Sequence, residues 1–460
     1  MLLSFSKCSP PPLFFDHVDE SARLTNNSTT HNFAPLGKAS CAVRSAAAWS
    51  PPEGGKSVPA QGLISHVVII VKENHTFDNY FGTFPGANGD SKLARAADPP
   101  PFDPPHNHKA WLDRAAGAVH QQYTEADIPA YFAYARQFTL CDNYFTEVAS
   151  QSIPNHLMLV AADSPLMDNP HQGDPPQLKP PFNLTSLPAS LEKAGLNWRS
   201  YGGDFVFKNI SGLIGRGKNH GSQQFSLDTA KGDLPAVSWL YSESLSEHPP
   251  HGGGAGPVVR PGMQWTVDQV NAVVKGGLWP KTVIFITWDD WGGWYDHVEP
   301  KNVEQWPANG WPASYQNTQF SYGPRVGCLV LSPYAKTGYI SKAFHSHVSL
   351  VKFCETTFGL PSLNPRDAKS DDMSDCFDFK QQPAPPPKGG PQPGPTPQPG
   401  PGPAPGPKPK PGPKPKPGPK PKPRPKPKPK PKPRKKSRGA SPGKKRRSPP
   451  KKHSKSKAKR

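Results

Sequence analysis

The sequence is short of cysteine and has no long apolar run. Its six cysteines (Cys8, Cys41, Cys141, Cys328, Cys354 and Cys376) are too few and too widely spaced among 460 residues for a disulfide scaffold, and none forms a C-x-x-C pair. Cys328 sits in an apolar run and Cys354 in a helical pattern, so both read as small buried hydrophobes. The longest aliphatic run, Val67 to Val71, is strand-sized. A membrane-spanning helix needs roughly 18 apolar residues and is excluded. The start, Met1-Leu2-Leu3-Ser4-Phe5 followed by Lys7 and prolines from Pro10, lacks the basic opening and apolar stretch of a secretory signal. On that reading the chain is cytoplasmic or is exported by another route.

Acidic and aromatic residues are both missing from the last 80 positions. From Gln381 onward the chain holds 26 Lys/Arg and 29 of the 64 prolines, with no Asp, Glu, Phe, Tyr or Trp. The net charge of +20 therefore belongs to a tail, and the first 380 residues carry 29 basic against 35 acidic groups. With no aliphatic side chain larger than alanine, the tail cannot form a core and is expected to be disordered. Its near-alternating Pro-x pattern favours polyproline II, reaching on the order of 250 Å at about 3.1 Å per residue.

Residues 1–62 are rich in Pro, Ser, Asn and Ala without a sustained period and read as a poorly ordered leader. Residues 63–380 form the organised body. Apolar runs at His66–Val71, Trp198–Tyr201, Ala236–Tyr241, Thr282–Trp288 and Val326–Leu331 lack alternation, as strands covered on both faces do. Helices are predicted over Ile128–Phe138, Leu187–Ala194, Thr266–Lys275 and Ser346–Phe358. The third has Thr266 and Gln269 spaced as a capping box and Gly276 as a stop. Strands alternating with helices indicate an α/β fold, a three-layer sandwich around a mostly parallel sheet, with function on loops at the carboxyl ends of the strands.

Three segments carry chemistry. The first strand runs into Lys72-Glu73-Asn74-His75-Thr76-Phe77-Asp78, where Glu73 and Asn74 are oxygen ligands suited to a divalent cation. Alternatively, Asn74 or Thr76 caps a short helix whose Phe77, Tyr80 and Phe81 pack inward. The strand Thr282–Trp288 ends in Asp289 and Asp290, and adjacent carboxylates at a strand end are costly unless a cation neutralises them. An Asp-His pair, Asp296-His297, follows a glycine turn. In Ser150-Gln151-Ser152-Ile153-Pro154-Asn155-His156, Ser152 stands at a helix N-terminus that suits a phosphate or a hydroxyl nucleophile, though from this segment alone an N-cap serine before Pro154 is the favoured reading. Histidines recur in D-P-P-H (His106), S-E-H-P-P-H (His248, His251) and H-S-H (His345, His347), residues suited to phosphate binding or general acid work.

In sequence, E-N-H-T-F-D-N-Y-F-G resembles the signature of the bacterial phosphoesterase family that contains phosphatidylcholine-type phospholipases C and related acid phosphatases. D-P-P-H, S-I-P-N-H, E-H-P-P, W-D-D-W-G-G-W-Y-D-H-V-E-P, G-P-R-V and H-S-H-V-S-L follow in the expected order, from about Ser65 to Phe379. The resemblance implies an alkaline-phosphatase-like α/β sandwich, one divalent metal ion and a hydroxyl nucleophile that forms a phosphoenzyme. By position it implies Glu73, Asn74, Asp289 and Asp290 as metal ligands and Ser152 as nucleophile. It implies His106 and His248 as phosphate or leaving-group histidines, with His297 and His347 as further members of the site. It also implies secretion or attachment to the cell envelope. Two positions depart from the pattern: Ile153 replaces a common glycine, and Asp290 shortens a common glutamate by one methylene.

The expected activity is metal-dependent hydrolysis of phosphate esters, with phospholipase C-type cleavage of a diester ahead of acid phosphatase action on monoesters. Trp288, Trp291, Trp294, Trp306 and Trp311 are candidates for an apolar or choline-binding rim, with core packing the alternative for Trp288, which closes a strand. The tail's basic cluster suits an anionic membrane or envelope surface, and without aromatics it excludes sequence-specific nucleic-acid recognition. A reading of another class is a non-catalytic envelope- or polyanion-binding protein acting through that tail.

Overall fold

The computed structural model describes residues 60, 62–249, 256–305 and 319–388, with backbone alone at 302–305 and 319–321. Most of the expected leader, the tail from residue 389, and His251, Trp306 and Trp311 lie outside the described residues.

The unalternating apolar runs become strands with both faces covered. In chain order the elements that build the site are β1 (His66–Lys72), α1 (Phe77–Phe81), α2 (Pro129–Gln137), β2 (Thr139–Phe145), α3 (Ser152–Ala161), α4 (Leu187–Lys193), β3 (Trp198–Tyr201), β4 (Asn219–His220), β5 (Val237–Tyr241), α5 (Val259–Lys275), β6 (Thr282–Trp288), β7 (Arg325–Leu331), β8 (Tyr339–Ser341), β9 (His345–Ser346) and α6 (His347–Phe358). They form one nine-stranded sheet in the order β8-β2-β7-β6-β1-β5-β3-β4, with β9 also beside β2. Every pairing is parallel except those of β7, which runs antiparallel to β2 and β6. Helix α3 packs against α4 and α6, and α2 packs against α5. Burial is complete along β5, β6 and β7, which explains their lack of alternation.

The register sets up the site. Lys72 pairs with Trp288 in the parallel β1–β6 ladder, so Glu73 and Asp289 leave the sheet side by side. On the other flank Val71 pairs with Tyr241, so the loop after β5 leaves at the same edge. Three adjacent strands therefore deliver three loops to one carboxyl edge.

Two sequence expectations are corrected. Helix α5 begins at Val259, not Thr266, because its cap comes from far away in the chain: Asp98 accepts from the N–H groups of Val258 (2.7 Å), Val259 (3.1 Å) and Arg260 (3.1 Å). Thr266 lies inside the helix and donates to the Gly262 carbonyl at 3.1 Å. Strand β2 was not expected, since Asp142-Asn143 breaks its apolar character. Asp142 instead accepts from the Asn88 N–H at 2.8 Å and pairs with Lys342.

Packing also runs past the expected boundary at residue 380: Ala384 donates to the Pro333 carbonyl (2.7 Å) and accepts from the Trp279 indole (3.1 Å). Among the described residues no helix is long and apolar enough to cross a membrane.

Candidate active site

Leaving β1, the backbone turns at Asn74, held at φ +69°. Asparagine tolerates this left-handed conformation better than most residues. The turn lets the Asn74 N–H donate to Asp289 Oδ1 at 3.0 Å, tying the first loop to the second. Gly292, at φ +57°, makes room for it, since a Cβ there would lie 2.2 Å from the Asn74 carbonyl. Thr76 caps α1 as expected, accepting from the Asn79 N–H, and Phe77, Tyr80 and Phe81 are buried.

Asp289 and Asp290 are both fully buried at the end of β6. Asp289 Oδ1 also accepts from the Asp290 N–H (2.7 Å), and Asp290 Oδ1 from the Gly292 N–H (2.7 Å). Burial acts to raise Asp289, but the neighbouring His156 imidazole and the Asn74 N–H hold its carboxyl down to about 2. Asp290 is pushed well above the usual carboxylate range by burial and by the charge of Asp289. Burial and Asp289 also raise Glu73 to about 7.

Ser152 is the first residue of α3, and its Oγ donates to Asp290 Oδ2 at 3.1 Å. The expected nucleophile and the expected ligand pair thus meet. Four residues on, on the same helix face, His156 places Nε2 3.3 Å from Asp289 Oδ2. His156 was not expected at the site, although it closes the S-I-P-N-H segment that was.

A divalent cation fits these residues. Apart from the His156–Asp289 ion pair at 3.3 Å, Asn74 Oδ1, Asp289 Oδ2 and both His156 nitrogens are buried without a hydrogen-bond partner. Buried polar atoms left in this state are what a cation would satisfy. Beside them Asp103, His106 and His248 bring ligand atoms within 4.8 Å of one another, a second possible metal-binding group. His106 joins the two sets, with Nε2 3.4 Å from Asn74 Nδ2.

The other expected histidines stand differently. His347 is fully buried and uses both nitrogens, Nδ1 with the Tyr144 hydroxyl (3.0 Å) and Nε2 with the Asp289 carbonyl (2.9 Å), so it holds the ligand strand in place. His297 bonds Asp78 (2.6 Å) and Asn88 (3.2 Å), in a cluster where Arg325 bridges Asp78 and Asp296. Neither ring is brought to Ser152. Trp288, Trp291 and Trp294 are buried, and Trp288 takes the core role, donating to Glu247 at 3.1 Å.

Glu73, Ser152, Ile153 and His248 open onto one cleft of about 890 Å³, whose farther walls include Asp204, Phe205, Lys208 and Glu243. That is the upper range for a small-molecule site.

A profile of the Phosphoesterase family matches residues 64–100 and 102–361. The chain belongs to the Phosphoesterase family. Over 405 residues it is 27% identical to a non-hemolytic phospholipase C of Pseudomonas aeruginosa, covering 69% of this chain but only 57% of that one. Over 418 residues it is 27% identical to phospholipase C A of Mycobacterium tuberculosis, covering 70% of this chain and 78% of the relative. Among solved structures, murine ectonucleotide pyrophosphatase/phosphodiesterase 5 aligns over 68% of this chain and all of its own, at 9% identity and a TM-score of 0.43, too slight a likeness to bear on the site.

Proposed function

We propose that this phosphoesterase cleaves phospholipid diesters in the manner of a phospholipase C, through a phosphoserine at Ser152, with one divalent cation held by Glu73, Asn74, Asp289 and Asp290. The observation that carries the reading is the Ser152 hydroxyl, at the N-terminal turn of α3, bonded to a buried carboxylate and opening into the same cleft as His248. Held by Glu73, Asn74, Asp289 and Asp290, such a cation would lower the hydroxyl pKa of Ser152 and neutralise non-bridging phosphate oxygens.

The chain's own residues do the rest. Asp290 orients the Ser152 Oγ, and the positive end of α3 favours the phosphate in front of it. The Oγ passes its proton to Asp290 Oδ2 as it attacks phosphorus, the bond from phosphorus to the leaving alkoxide breaks, and a protonated histidine, His248 or His106, gives its proton to that alkoxide. Water then hydrolyses the phosphoserine, returning a proton to Ser152 and releasing the phosphorylated headgroup. A cleft of this size exceeds the needs of a bare phosphate, and its lining of Phe205, Asp204 and Glu243 beside Lys208 suits a zwitterionic headgroup. The relatives' names support the same choice. A lipid substrate also gives the basic tail a use, holding the enzyme at anionic membrane or envelope surfaces, and fits an exported protein.

The test is hydrolysis of p-nitrophenyl phosphorylcholine beside p-nitrophenyl phosphate by the full chain, by Ser152→Ala, and by the wild type with a chelator. Diester turnover lost in both latter cases is the expected result. Monoester turnover alone would make the protein an acid phosphatase, and no turnover by folded, metal-loaded protein would favour a non-catalytic polyanion-binding role.

A further inference from the structure

Behind the sheet edge that carries the active site, four side chains from three segments converge. Cys141 comes from the middle of β2, His345 from β9, and Asp375 and Cys376 from a short 3-10 turn, Ser374–Cys376. Cys141, His345 and Cys376 are fully buried, and their ligand atoms all lie within 4.8 Å of one another. The distances are Cys141 Sγ to Cys376 Sγ 3.6 Å, Cys376 Sγ to His345 Nε2 3.9 Å, Cys376 Sγ to Asp375 Oδ1 3.5 Å, and His345 Nε2 to Asp375 Oδ1 3.2 Å.

These four distances match four of the six edges of a coordination tetrahedron. With Zn–S near 2.3 Å and Zn–N or Zn–O near 2.0–2.1 Å, a regular tetrahedron has edges of about 3.8 Å between sulfurs, 3.5 Å from sulfur to oxygen or nitrogen, and 3.3 Å from nitrogen to oxygen. The two sulfurs are much too far apart for an S–S bond of about 2.05 Å. The outer contacts are those a metal-bound histidine needs: His345 Nδ1 bonds Asp371 Oδ1 at 2.6 Å, which leaves Nε2 as the inward donor. Asp375 Oδ2 accepts from Ser341 Oγ at 2.5 Å, orienting Oδ1 toward the thiols, and Ser341 Oγ itself lies 2.9 Å from Nε2.

We propose that Cys141, His345, Asp375 and Cys376 bind a structural zinc ion, separate from the catalytic centre. Two thiolates, one imidazole and one carboxylate are a donor set of the softness zinc prefers. The ion ties the C-terminal turn to β2. It also anchors β9 two residues before His347, the side chain that supports the Asp289 carbonyl. The site lacks the local C-x-x-C signal because its sulfur ligands are 235 residues apart.

The catalytic cradle has only oxygen and nitrogen donors, so a thiolate signature reports this site alone. Full-length protein is produced with cobalt in place of zinc, purified under reductant, and examined for the near-ultraviolet thiolate-to-cobalt charge-transfer band. Zinc content of the ordinary preparation is measured beside Cys141→Ser, Cys376→Ser and Glu73→Gln. The expected result is a band in the wild type and in Glu73→Gln, lost in either cysteine variant together with one equivalent of zinc. A folded, fully reduced wild type with no band overturns the proposal, as does a Cys141–Cys376 disulfide found by peptide mass in the protein as isolated. The wild-type spectrum decides the matter if either serine variant fails to fold.

Discussion

Lys72 and Glu247 face each other at 3.4 Å with no exposure of either side chain, and each immediately precedes a residue of the active site, Glu73 and His248. Glu247 also accepts from the hydroxyls of Tyr80 (2.8 Å) and Tyr131 (2.5 Å) and from the Trp288 indole (3.1 Å). Lys72 donates to the carbonyls of Leu245 and Gly262. Glu247 sits at φ +78°, and Gly262 leaves it room, since a Cβ there would meet Glu247 Cγ at 2.3 Å. This buried pair locks the loop after β1 to the loop after β5.

Glu247→Ala leaves a buried ammonium without a counter-charge, and a loss of roughly 3–5 kcal/mol is expected. Denaturant unfolding measures it. Lys72→Met with Glu247→Leu should recover neither the stability nor the turnover, because the Tyr80 and Tyr131 hydroxyls and the Trp288 indole lose their buried acceptor and the left-handed turn that aims His248 loses its anchor. Equal stability of wild type and Glu247→Ala would show that the pair does not hold the loops.

His156 packs edge-on against Phe205 and Tyr241. His156→Phe should therefore keep the fold while removing the nitrogen beside Asp289. Metal affinity is expected to fall about 10–100-fold, as for other side chains that hold a ligand from behind, read by titrating activity against added cation. Unchanged affinity would reduce His156 to a packing residue.

Gly292→Ala combines a positive φ with a Cβ 2.2 Å from the Asn74 carbonyl. The variant is expected to lose about 1–3 kcal/mol of stability and to displace Asn74. The apparent metal requirement should rise in the same variant, whereas Gly277→Ala, also at positive φ but in open space, should lose stability without that rise.

Glu355 is buried beside Asp367, and burial and hydrogen bonding to Asp367 push it up to about 8. The folded protein keeps a proton that the unfolded chain releases near 4.5. The stabilisation is fully present below about 4.5 and is lost as pH rises through about 8. In Glu355→Gln that dependence disappears, so the melting temperature of the variant relative to wild type should climb across this window. A constant difference would show that Glu355 ionises normally.

The sequence by itself determined the sheet's core and the chemistry of its edge. Unbroken β-branched runs can be buried on both faces only in a covered, mostly parallel sheet, and Glu73, Asn74, Asp289 and Asp290 stand directly after such runs, where strand register alone brings them together. Ser152 was legible for a similar reason, since Pro154 and the apolar residues after it start a helix locally. What tertiary structure decided rests on contacts between residues far apart in the chain. Asp98 caps α5 from 161 positions before Val259. Two histidines diverge because His347 is spent on the Asp289 carbonyl while His156 faces the Asp289 carboxylate. Cys141 and Cys376 meet only because β2 lies beside the C-terminal turn. Local patterning follows from backbone periodicity and side-chain hydrophobicity, which a sequence carries. Which donor meets which acceptor depends on three-dimensional register, which the fold supplies.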